Sequence, residues 1–171
     1  MSYFSNFPTI MYDPTGDGSA KLATNIMKRV RMRANMKKEV VMLDPYDIKE
    51  NETPEIVADK HHGSVYYHWV VMLLNDISDV NHDWVKSTRQ MQKYLLSKYT
   101  EIQLTNTHHY EISQTSGDTT TKIEVENATY PSASTVTNYE YEVALNEDKR
   151  QIDLLRNDYL GFFTEEFANL I

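Results

Sequence analysis

Apolar side chains recur at helical spacing between residues 64 and 77, and this is the clearest pattern in the chain. The stripe follows Ser64, a candidate N-cap, and comprises Tyr66, Trp69, Val70, Leu73, Leu74 and Ile77. A stripe of this width is typical of a helix that packs one face against a core. We therefore predict a buried helix here, with four core residues: Trp69, Val70, Leu73 and Leu74.

A shorter helix is predicted immediately before this one, between positions 54 and 63. Thr53 is a candidate N-cap, and Pro54 suits the first helical position because its nitrogen carries no hydrogen to satisfy. Gly63 can adopt the left-handed conformation that ends a helix. We expect this helix to bury Ile56 and Val57, and we count Ile56 among the core residues.

The residues before these two helices carry weaker signals. Residues 40–43 and 46–48 predict a strand, which Pro45 places at a sheet edge or a bulge. Residues 22–36 fit either a helix or an extended linker, because their apolar side chains recur at both spacings. Residues 1–20 are rich in aromatic and turn residues without a regular period. We expect an extended arm there, docked on the protein's own surface or on a partner.

The second half of the chain alternates predicted helices with short strands. Ser87 and Gln90 match a capping box, which predicts a helix over 88–99. Residues 108–114 and 119–125 alternate apolar with polar around a turn, which is typical of a β-hairpin. The other predictions are a connection at 129–137, a helical segment at 139–149, a strand at 151–155 and a last helix capped by Asn157 that carries Leu160, Phe163, Phe167 and Leu170. We expect Phe163 and Phe167 to pack on their own chain.

These elements predict an α+β protein with a small core and appendages. The core consists of a strand, two helices and a second strand. We divide the chain into an N-terminal arm with a basic segment (1–38), the core with its following helix (39–100), a β-hairpin with a linker (101–137) and a C-terminal helical segment (138–171). A length of 171 residues suits one domain with extensions.

Charge is distributed unevenly along this chain. The net charge is −8, yet residues 21–38 hold seven Lys and Arg and no acid, so the remainder carries −15. That acidic remainder would repel phosphate, and no nucleic-acid-binding motif accompanies the basic segment, so we expect no nucleic-acid partner. The segment is either a contact for an acidic neighbouring subunit or a solvated face. For the first alternative, the candidate contacts are Arg29, Arg31 and Arg33.

Composition removes several further classes of function. The chain has no Cys, which excludes disulfides, thiolate metal ligands and a cysteine nucleophile. No apolar run is long enough for a membrane span, and the N-terminus lacks the pattern of a signal peptide. We therefore expect no membrane partner and synthesis in the cytoplasm.

Candidate catalytic and metal-binding residues are sparse. The sequence places several His near Asp: His61, His62, His68, Asp79, His82 and Asp83. No two His are spaced i, i+4, so we expect these imidazoles to be exposed or hydrogen-bonded. No nucleophile elbow, phosphate-binding loop or dinucleotide fingerprint occurs. We expect no catalysis, no cofactor and no metal, and a small metal-dependent or acid–base hydrolase is the least favoured alternative.

Residues 46–75 resemble a LysM module. Tyr46-Asp47-Ile48-Lys49 resembles its opening strand, Asn51-Glu52-Thr53 stands where Gly-Asp-Thr is usual, and Asn75 ends the second helix. The resemblance implies a LysM-like fold for the predicted core. It also implies an alternative function, a module that binds peptidoglycan or chitin. The stretch Asn51-Glu52-Thr53-Pro54 weakens that alternative. Compared with a LysM module it lacks the usual glycine and contains a proline, and both changes stiffen the loop that would contact sugar.

Features along nearly the whole chain resemble the LysM-like baseplate wedge protein of contractile-tailed, T-even-like bacteriophages. They are the aromatic arm, Arg29 to Arg33, Glu52-Thr53-Pro54-Glu55, Gly63, Tyr67-His68-Trp69, Leu74-Asn75-Asp76, Trp84 and Lys149-Arg150-Gln151-Ile152. The resemblance implies a structural, non-enzymatic subunit of the virion's tail baseplate that joins neighbouring wedges. Its implied partners are other wedge and hub-proximal subunits and the sheath-initiating subunit, in multiple copies within a symmetric assembly.

Aromatic and basic residues are the candidates for partner binding: Tyr3, Phe4, Phe7, Arg29, Arg31, Arg33 and Trp84. The aromatic residues of the arm are too apolar for a segment that stays in water. Trp84 follows a polar run and lies either at the edge of the core or in an interface, where exposed aromatic residues often contribute strongly to binding.

Overall fold

The computed structural model describes residues 3–28, 40–117 and 120–171, and the chain divides into two compact units. Unit 1 combines residues 1–84 with residues 151–171, and unit 2 comprises residues 85–150. Both units contain helices and antiparallel strands, so the predicted α+β class is confirmed. These boundaries differ from the four segments predicted from the sequence, because the C-terminal strand and helix belong to the same unit as the N-terminal half.

Seven strands and seven α-helices are present in the described residues. The strands are β1 (Thr9–Tyr12), β2 (Lys21–Thr24), β3 (Leu43–Asp47), β4 (Thr107–Ser113), β5 (Lys122–Val125), β6 (Ser134–Thr137) and β7 (Gln151–Leu155). The helices are α1 (Pro54–His62), α2 (His68–Leu74), α3 (Val80–Asp83), α4 (Thr88–Lys98), α5 (Glu101–Leu104), α6 (Asn138–Glu147) and α7 (Asn157–Leu170). Short 3-10 turns cover Tyr3–Asn6, Val40–Met42 and Val65–Tyr67.

The strands form three antiparallel sheets. In unit 1, β1 pairs with β2, and β3 pairs with β7 in a register that sets Leu43 opposite Leu155. In unit 2, the order is β5-β4-β6, so β4 is the central strand. The strand that completes the predicted strand-helix-helix-strand core is therefore β7, which follows unit 2 in the sequence.

The residues predicted to begin and end the two core helices do so in the structure. The Thr53 hydroxyl accepts a hydrogen bond from the N–H of Ile56 at 3.5 Å, and Pro54 occupies the first helical position of α1. Gly63 ends α1 with a φ of 71°, and its N–H donates to the Asp59 carbonyl. Glycine, which has no Cβ, adopts this conformation at little cost. Ser64 then caps the 3-10 turn that leads into α2.

Asn75 ties the end of α2 to β7. Its side-chain N–H group donates to the carbonyls of Val71 at 2.9 Å and Asp153 at 2.8 Å. Its side-chain oxygen accepts from the Asp153 N–H at 2.9 Å. The amide side chain therefore pairs with the backbone of β7 as a neighbouring strand would, which satisfies polar groups at that sheet edge.

Aromatic side chains from three distant parts of the sequence pack together in unit 1. Phe7, Trp69 and Phe167 are 6%, 5% and 2% exposed. The Trp69 ring centroid lies 4.5 Å from that of Phe167 and 6.0 Å from that of Phe163. Tyr3 is half-buried, with its ring 5.6 Å from Trp69 and 5.4 Å from Phe167. The other buried members of this cluster are Val70, Leu74 and Leu155.

Unit 2 is organised by capped helices and a polar bridge. Capping boxes open its three helices and involve the pairs Ser87–Gln90, Thr100–Gln103 and Thr137–Glu140. The Asn146 side chain accepts from the Lys86 N–H at 2.8 Å and donates to the Lys86 carbonyl at 3.0 Å. This bridge joins the start of the unit to α6. The predicted helices at 88–99 and 139–149 and the predicted hairpin are confirmed to within a few residues.

Several local predictions differ from the structure. Residues 9–12 and 21–24, predicted as an irregular arm and an ambiguous segment, pair as strands. Residues 134–137, predicted as part of a connection, form β6 against β4. All three strands are four residues long, too short to show a clear period. The predicted strand at residues 40–43 is mostly a 3-10 turn, and only Leu43 begins β3.

Two residue predictions also need correction. Ile56 is 41% exposed rather than part of the core, because α1 turns Val57 and Ala58 inward instead. Asn157 is the first residue of α7 rather than its cap, and Arg156 occupies the cap position without a side-chain capping hydrogen bond. The Asn157 side chain instead donates to the His61 carbonyl at 2.8 Å. The Asn157 side chain therefore makes a tertiary contact with α1 instead of a local capping bond.

We predict that Phe7→Ala lowers the free energy of unfolding by about 3 kcal/mol, because it leaves a cavity among packed aromatic rings. Chemical denaturation followed by tryptophan fluorescence measures the change, since Trp69 lies in the same cluster. The matched control is Phe4→Ala, where the ring is 51% exposed and the expected cost is below about 1 kcal/mol. Equal costs for the two variants would show that the N-terminal segment does not pack on unit 1 as described.

Candidate interaction surface

The antiparallel pair β1–β2 carries apolar side chains that its own unit does not cover. We call residues 9–24 the ribbon. Among the ribbon's large apolar side chains, Ile10 is 39% exposed, Met11 66%, Tyr12 55% and Leu22 68%. An isolated two-stranded ribbon is marginally stable in water, and clustered exposed apolar groups commonly mark interaction sites. The ribbon is therefore the leading candidate for a partner-binding surface.

The register of the ribbon divides these side chains between two faces. Met11 lies opposite Leu22, and Ile10 lies opposite Ala23. Because successive side chains in a strand point to opposite faces, Met11 and Leu22 share one face while Ile10 and Tyr12 share the other. Both faces thus present apolar groups, which suits insertion into a groove or sheet better than contact with one flat surface.

The loop at the tip of the ribbon is held by its own carboxylates. Asp13 accepts hydrogen bonds from the N–H groups of Gly18 at 2.8 Å, Gly16 at 2.7 Å and Thr15 at 3.1 Å. These bonds, with that from Gly18 the largest cause, hold the pKa of Asp13 below its ordinary value. Asp17 is likewise bonded to Ser19, whose hydroxyl is the chief cause of its lowered pKa. The tip is therefore organised without a partner.

The base of the ribbon is anchored to unit 1. Phe7 is buried in the aromatic cluster, and the Asn25 N–H donates to the Pro8 carbonyl at 2.8 Å. The Lys28 ammonium donates to the backbone carbonyl of Ile171. These contacts fix both strands where they leave the unit, so the exposed part of the ribbon projects from a defined base.

The predicted partner-binding residues occupy different environments. Phe7 and Trp84 are buried, at 6% and 5% exposure, and the Trp84 indole N–H donates to the Glu52 carbonyl at 2.8 Å. Tyr3 is half-buried on the aromatic cluster, and Phe4 is 51% exposed. Of these four, only Phe4 offers most of a ring to another molecule. Arg29, Arg31 and Arg33 lie outside the described residues.

The predicted core residues are mostly interior. Trp69, Val70 and Leu74 are buried at 5%, 0% and 3% exposure. Leu73 is partly buried and packs against the same cluster. Ile56, as noted above, faces outward.

A buried carboxylate, which the sequence did not single out, lies between β3 and α1. Glu52 is 7% exposed and accepts hydrogen bonds from Tyr46 at 2.9 Å, the Lys49 N–H at 2.8 Å and Lys60 at 2.6 Å. Burial raises the pKa of Glu52, but the bonds from Lys60, Lys49 and Tyr46 outweigh burial and leave it lowered. Burial and the adjacent carboxylate raise the pKa of Tyr46 to about 12. The carboxylate in the predicted sugar-contact loop is thus engaged within the protein.

Unit 2 contains a second carboxylate with similar partners. Glu142 is 4% exposed and accepts from Tyr94 at 3.1 Å, from Tyr99 at 3.0 Å and from the Lys98 ammonium. Burial raises the pKa of Glu142, but the hydrogen bonds from Lys98 and Tyr99 outweigh burial and leave that pKa lowered. The hydrogen bond to Glu142 is the chief cause of the raised pKa of Lys98. Glu142 lies on α6 and its partners lie on or next to α4, so the carboxylate fastens the two helices.

The His residues make hydrogen bonds within the protein. His61 Nε2 lies 3.0 Å from the Leu155 carbonyl oxygen, and His62 Nδ1 lies 2.9 Å from the Asn157 side-chain oxygen. Burial lowers the pKa of His62, which favours its neutral form. Within the described ranges, no three His, Cys, Asp or Glu side chains are placed to hold a metal ion together. No described helix is both long and apolar enough to cross a membrane.

Comparison with known proteins decides the family. The model of the family described as base plate wedge protein 53 matches residues 4–133, which include the whole ribbon and most of both units' described helices. The chain belongs to the base plate wedge protein 53 family. This membership confirms the resemblance to phage baseplate wedge proteins and gives the chain a structural role in the baseplate of a phage tail. In a search of curated proteins, no sequence matches the chain.

Sequence reasoning missed the ribbon and both buried carboxylates of this base plate wedge protein 53 family member. A signal for the ribbon was present, because Thr9-Ile10-Met11-Tyr12 is rich in strand-forming residues and precedes a turn-rich stretch. For Glu52 and Glu142 no comparable signal exists. Burial of a carboxylate depends on Tyr and Lys partners that only the folded chain brings close.

We predict that Glu142→Gln lowers the free energy of unfolding by about 1–3 kcal/mol at pH 7, because a charged acceptor for three donors becomes a neutral amide. The lowered pKa means that the ionised carboxylate stabilises the fold above the ordinary glutamate value of 4.5, and that this stabilisation is lost as pH falls through the lowered value. Denaturation of both proteins from pH 7 to pH 3 should therefore show the difference shrinking below about pH 4.5.

The matched control for this pH series is Glu147→Gln. Glu147 lies on the same helix and pairs with Arg150, but it is 52% exposed. A solvent-exposed pair contributes about 0–1 kcal/mol, so this variant should change stability little. A Glu142→Gln cost that stayed constant down to pH 3 would contradict the assigned hydrogen bonds.

Proposed function

We propose that this chain joins neighbouring wedges of a phage tail baseplate and contacts other baseplate proteins during tail assembly. Membership of the base plate wedge protein 53 family supports the baseplate role. The observation that carries the proposed contact is the ribbon, whose apolar side chains remain exposed in the isolated chain. Such a surface is costly for a protein that acts alone and useful for one that is built into an assembly.

The proposed partners are other wedge subunits, hub-proximal subunits and the sheath-initiating subunit. We propose multiple copies in a symmetric assembly, with synthesis in the host cytoplasm before incorporation into the virion. Two separate units in one chain support this role, because each unit can present a surface to a different neighbour. Phe4 and the basic residues Arg29, Arg31 and Arg33 remain proposed contacts beside the ribbon. Phe7, Tyr3 and Trp84 contribute indirectly, by fixing the surfaces around them.

The core that supports these contacts is proposed to be LysM-like and non-enzymatic. The order β3, α1, α2, β7, with β3 antiparallel to β7, agrees with the strand-helix-helix-strand plan implied by the sequence resemblance. In this proposal the core is a rigid support rather than a sugar-binding module. The engaged Glu52 carboxylate supports that assignment, since its hydrogen bonds hold the loop beside α1.

We predict that Met11→Asp or Leu22→Asp reduces incorporation of the chain into baseplates on the order of tenfold or more, because a charge would be buried in an apolar contact. A phage lacking the gene for this chain is complemented with each variant, and the variant is quantified in purified tails by mass spectrometry. The isolated variants should melt like wild type, since both side chains are mostly exposed.

The conservative variants Met11→Leu and Leu22→Met are the matched controls and should incorporate normally. Absence of the wild-type chain from purified tails would overturn the proposed function itself. Normal incorporation of both Asp variants would leave the baseplate role standing and remove the ribbon from the contact.

A further inference from the structure

The start of α7 is tied to the end of α1 by a group of side-chain hydrogen bonds. The Asn157 side-chain N–H group donates to the His61 carbonyl at 2.8 Å, and the Asn157 side-chain oxygen lies 2.9 Å from His62 Nδ1. His61 Nε2 lies 3.0 Å from the carbonyl oxygen of Leu155, the last residue of β7. Two adjacent imidazoles therefore hold the segment in which β7 passes into α7.

These bonds assign one tautomer to the His62 ring. The amide nitrogen of Asn157 is the donor to the His61 carbonyl, so the atom that faces His62 is an oxygen, which can only accept. His62 Nδ1 therefore carries the proton of this bond. In the neutral ring, Nε2 is then the nitrogen without a hydrogen.

The second ring nitrogen of His62 is enclosed. Nε2 is buried and has no hydrogen-bond partner among the residues that the structure describes. A proton on this atom would create a charged N–H group without an acceptor, which is unfavourable where water is excluded. Burial is the largest cause of the lowered pKa of His62, the bond to Asn157 opposes it, and the charge of His61 lowers the pKa further.

The groups around His62 do not provide a counter-charge. His61 is adjacent on α1, with its ring centroid 4.8 Å away, and adds only positive charge. The Tyr67 ring, from the turn before α2, lies edge-on at 6.0 Å. At the start of α7, the Arg156 guanidinium and the Asp158 carboxylate pair with each other at 3.1 Å. No carboxylate in the described part of the chain is bonded to either ring nitrogen of His62.

We propose that His62 is an acid-sensitive latch, and that protonation of its ring releases the start of α7 from α1. Phe163 and Phe167 of α7 belong to the aromatic cluster in which Phe7 is buried. Release of α7 therefore loosens the packing that fixes the base of the ribbon. The inference concerns unit 1 alone and does not depend on the proposed function.

The direction of the pH dependence follows from the neutral folded form. An unfolded histidine titrates near pH 6.5, whereas the pKa of His62 in the folded protein is lower. The latch therefore contributes fully above about pH 6.5, and its contribution is lost as pH falls from there toward the folded pKa. A single group can change an opening equilibrium by at most about tenfold per pH unit.

The test replaces each imidazole by an amide that keeps its hydrogen bond. His62→Asn presents an N–H group in place of Nδ1 and does not titrate, while His61→Gln, the matched control, presents one in place of Nε2. Amide hydrogen exchange of α7 is measured in the purified chain at pH 7.0 and 5.5 and corrected for intrinsic exchange rates. We expect acidification to reduce α7 protection at least about threefold more in wild type and in His61→Gln than in His62→Asn.

A second measurement uses the unmodified chain, so its result does not depend on how the variants fold. An NMR titration of the His62 ring in the wild-type chain should give a pKa below the ordinary value of 6.5. Nitrogen chemical shifts at neutral pH should show the proton on Nδ1 rather than on Nε2.

Each outcome decides the inference. A low His62 pKa together with a smaller acid effect in His62→Asn supports it. A His62 pKa at or above 6.5 overturns it, whether or not the variants fold. Equal loss of α7 protection in wild type and His62→Asn also overturns it, because other groups then cause the loss. If His61→Gln alone removes the pH dependence, His61 is the titrating group and the assignment to His62 is wrong.

Discussion

The packing of Phe7, Trp69, Phe163 and Phe167 is the interaction on which unit 1 depends. These rings come from the N-terminal segment, from α2 and from α7, and their burial closes a core that no single stretch of the chain could form. Aromatic side chains bury large areas and pack in specific orientations, so they fix position as well as contribute stability. The cluster thereby sets where the N-terminal segment leaves the core and where the ribbon begins.

This packing changes which residues are available to partners. An arm of aromatic residues looks like a binding segment when read from the sequence, yet Phe7 and much of Tyr3 are used within the protein. Apolar surface remains on the next stretch of chain, in β1 and β2. The aromatic residues therefore act as an anchor, and the ribbon that they hold in place carries the exposed apolar side chains.

The two buried carboxylates explain how small units with modest cores keep their shape. Glu52 joins the loop before α1 to β3, and Glu142 joins α6 to α4, each through Tyr and Lys side chains. A buried carboxylate with several donors is specific in geometry, because leaving any donor or acceptor unpaired costs free energy. The two carboxylates therefore fix the geometry of the elements that they join within each unit.

Local signals were sufficient for the helices and for much of the core. Thr53, Pro54 and Gly63 act within a few residues of themselves, so the boundaries of α1 were readable, as was the capping box at Ser87 and Gln90. Trp69, Val70 and Leu74 could be identified as core residues because a helical stripe is visible in the sequence, whichever element packs against it. The exposure of Ile56 could not be predicted, because Ile56 and Val57 are adjacent apolar residues on a short helix and only packing decides which of them is buried.

The sequence by itself thus determined the class of fold, the position of the central helices and the resemblance to baseplate wedge proteins. Only the tertiary structure decided that β7 completes the sheet begun by β3, that Phe7 belongs to the core and that β1 and β2 form an exposed ribbon. The physical reason is that helix caps and stripes depend on neighbours in sequence. Strand pairing, aromatic packing and carboxylate burial depend on partners tens of residues away, whose proximity is a property of the whole fold.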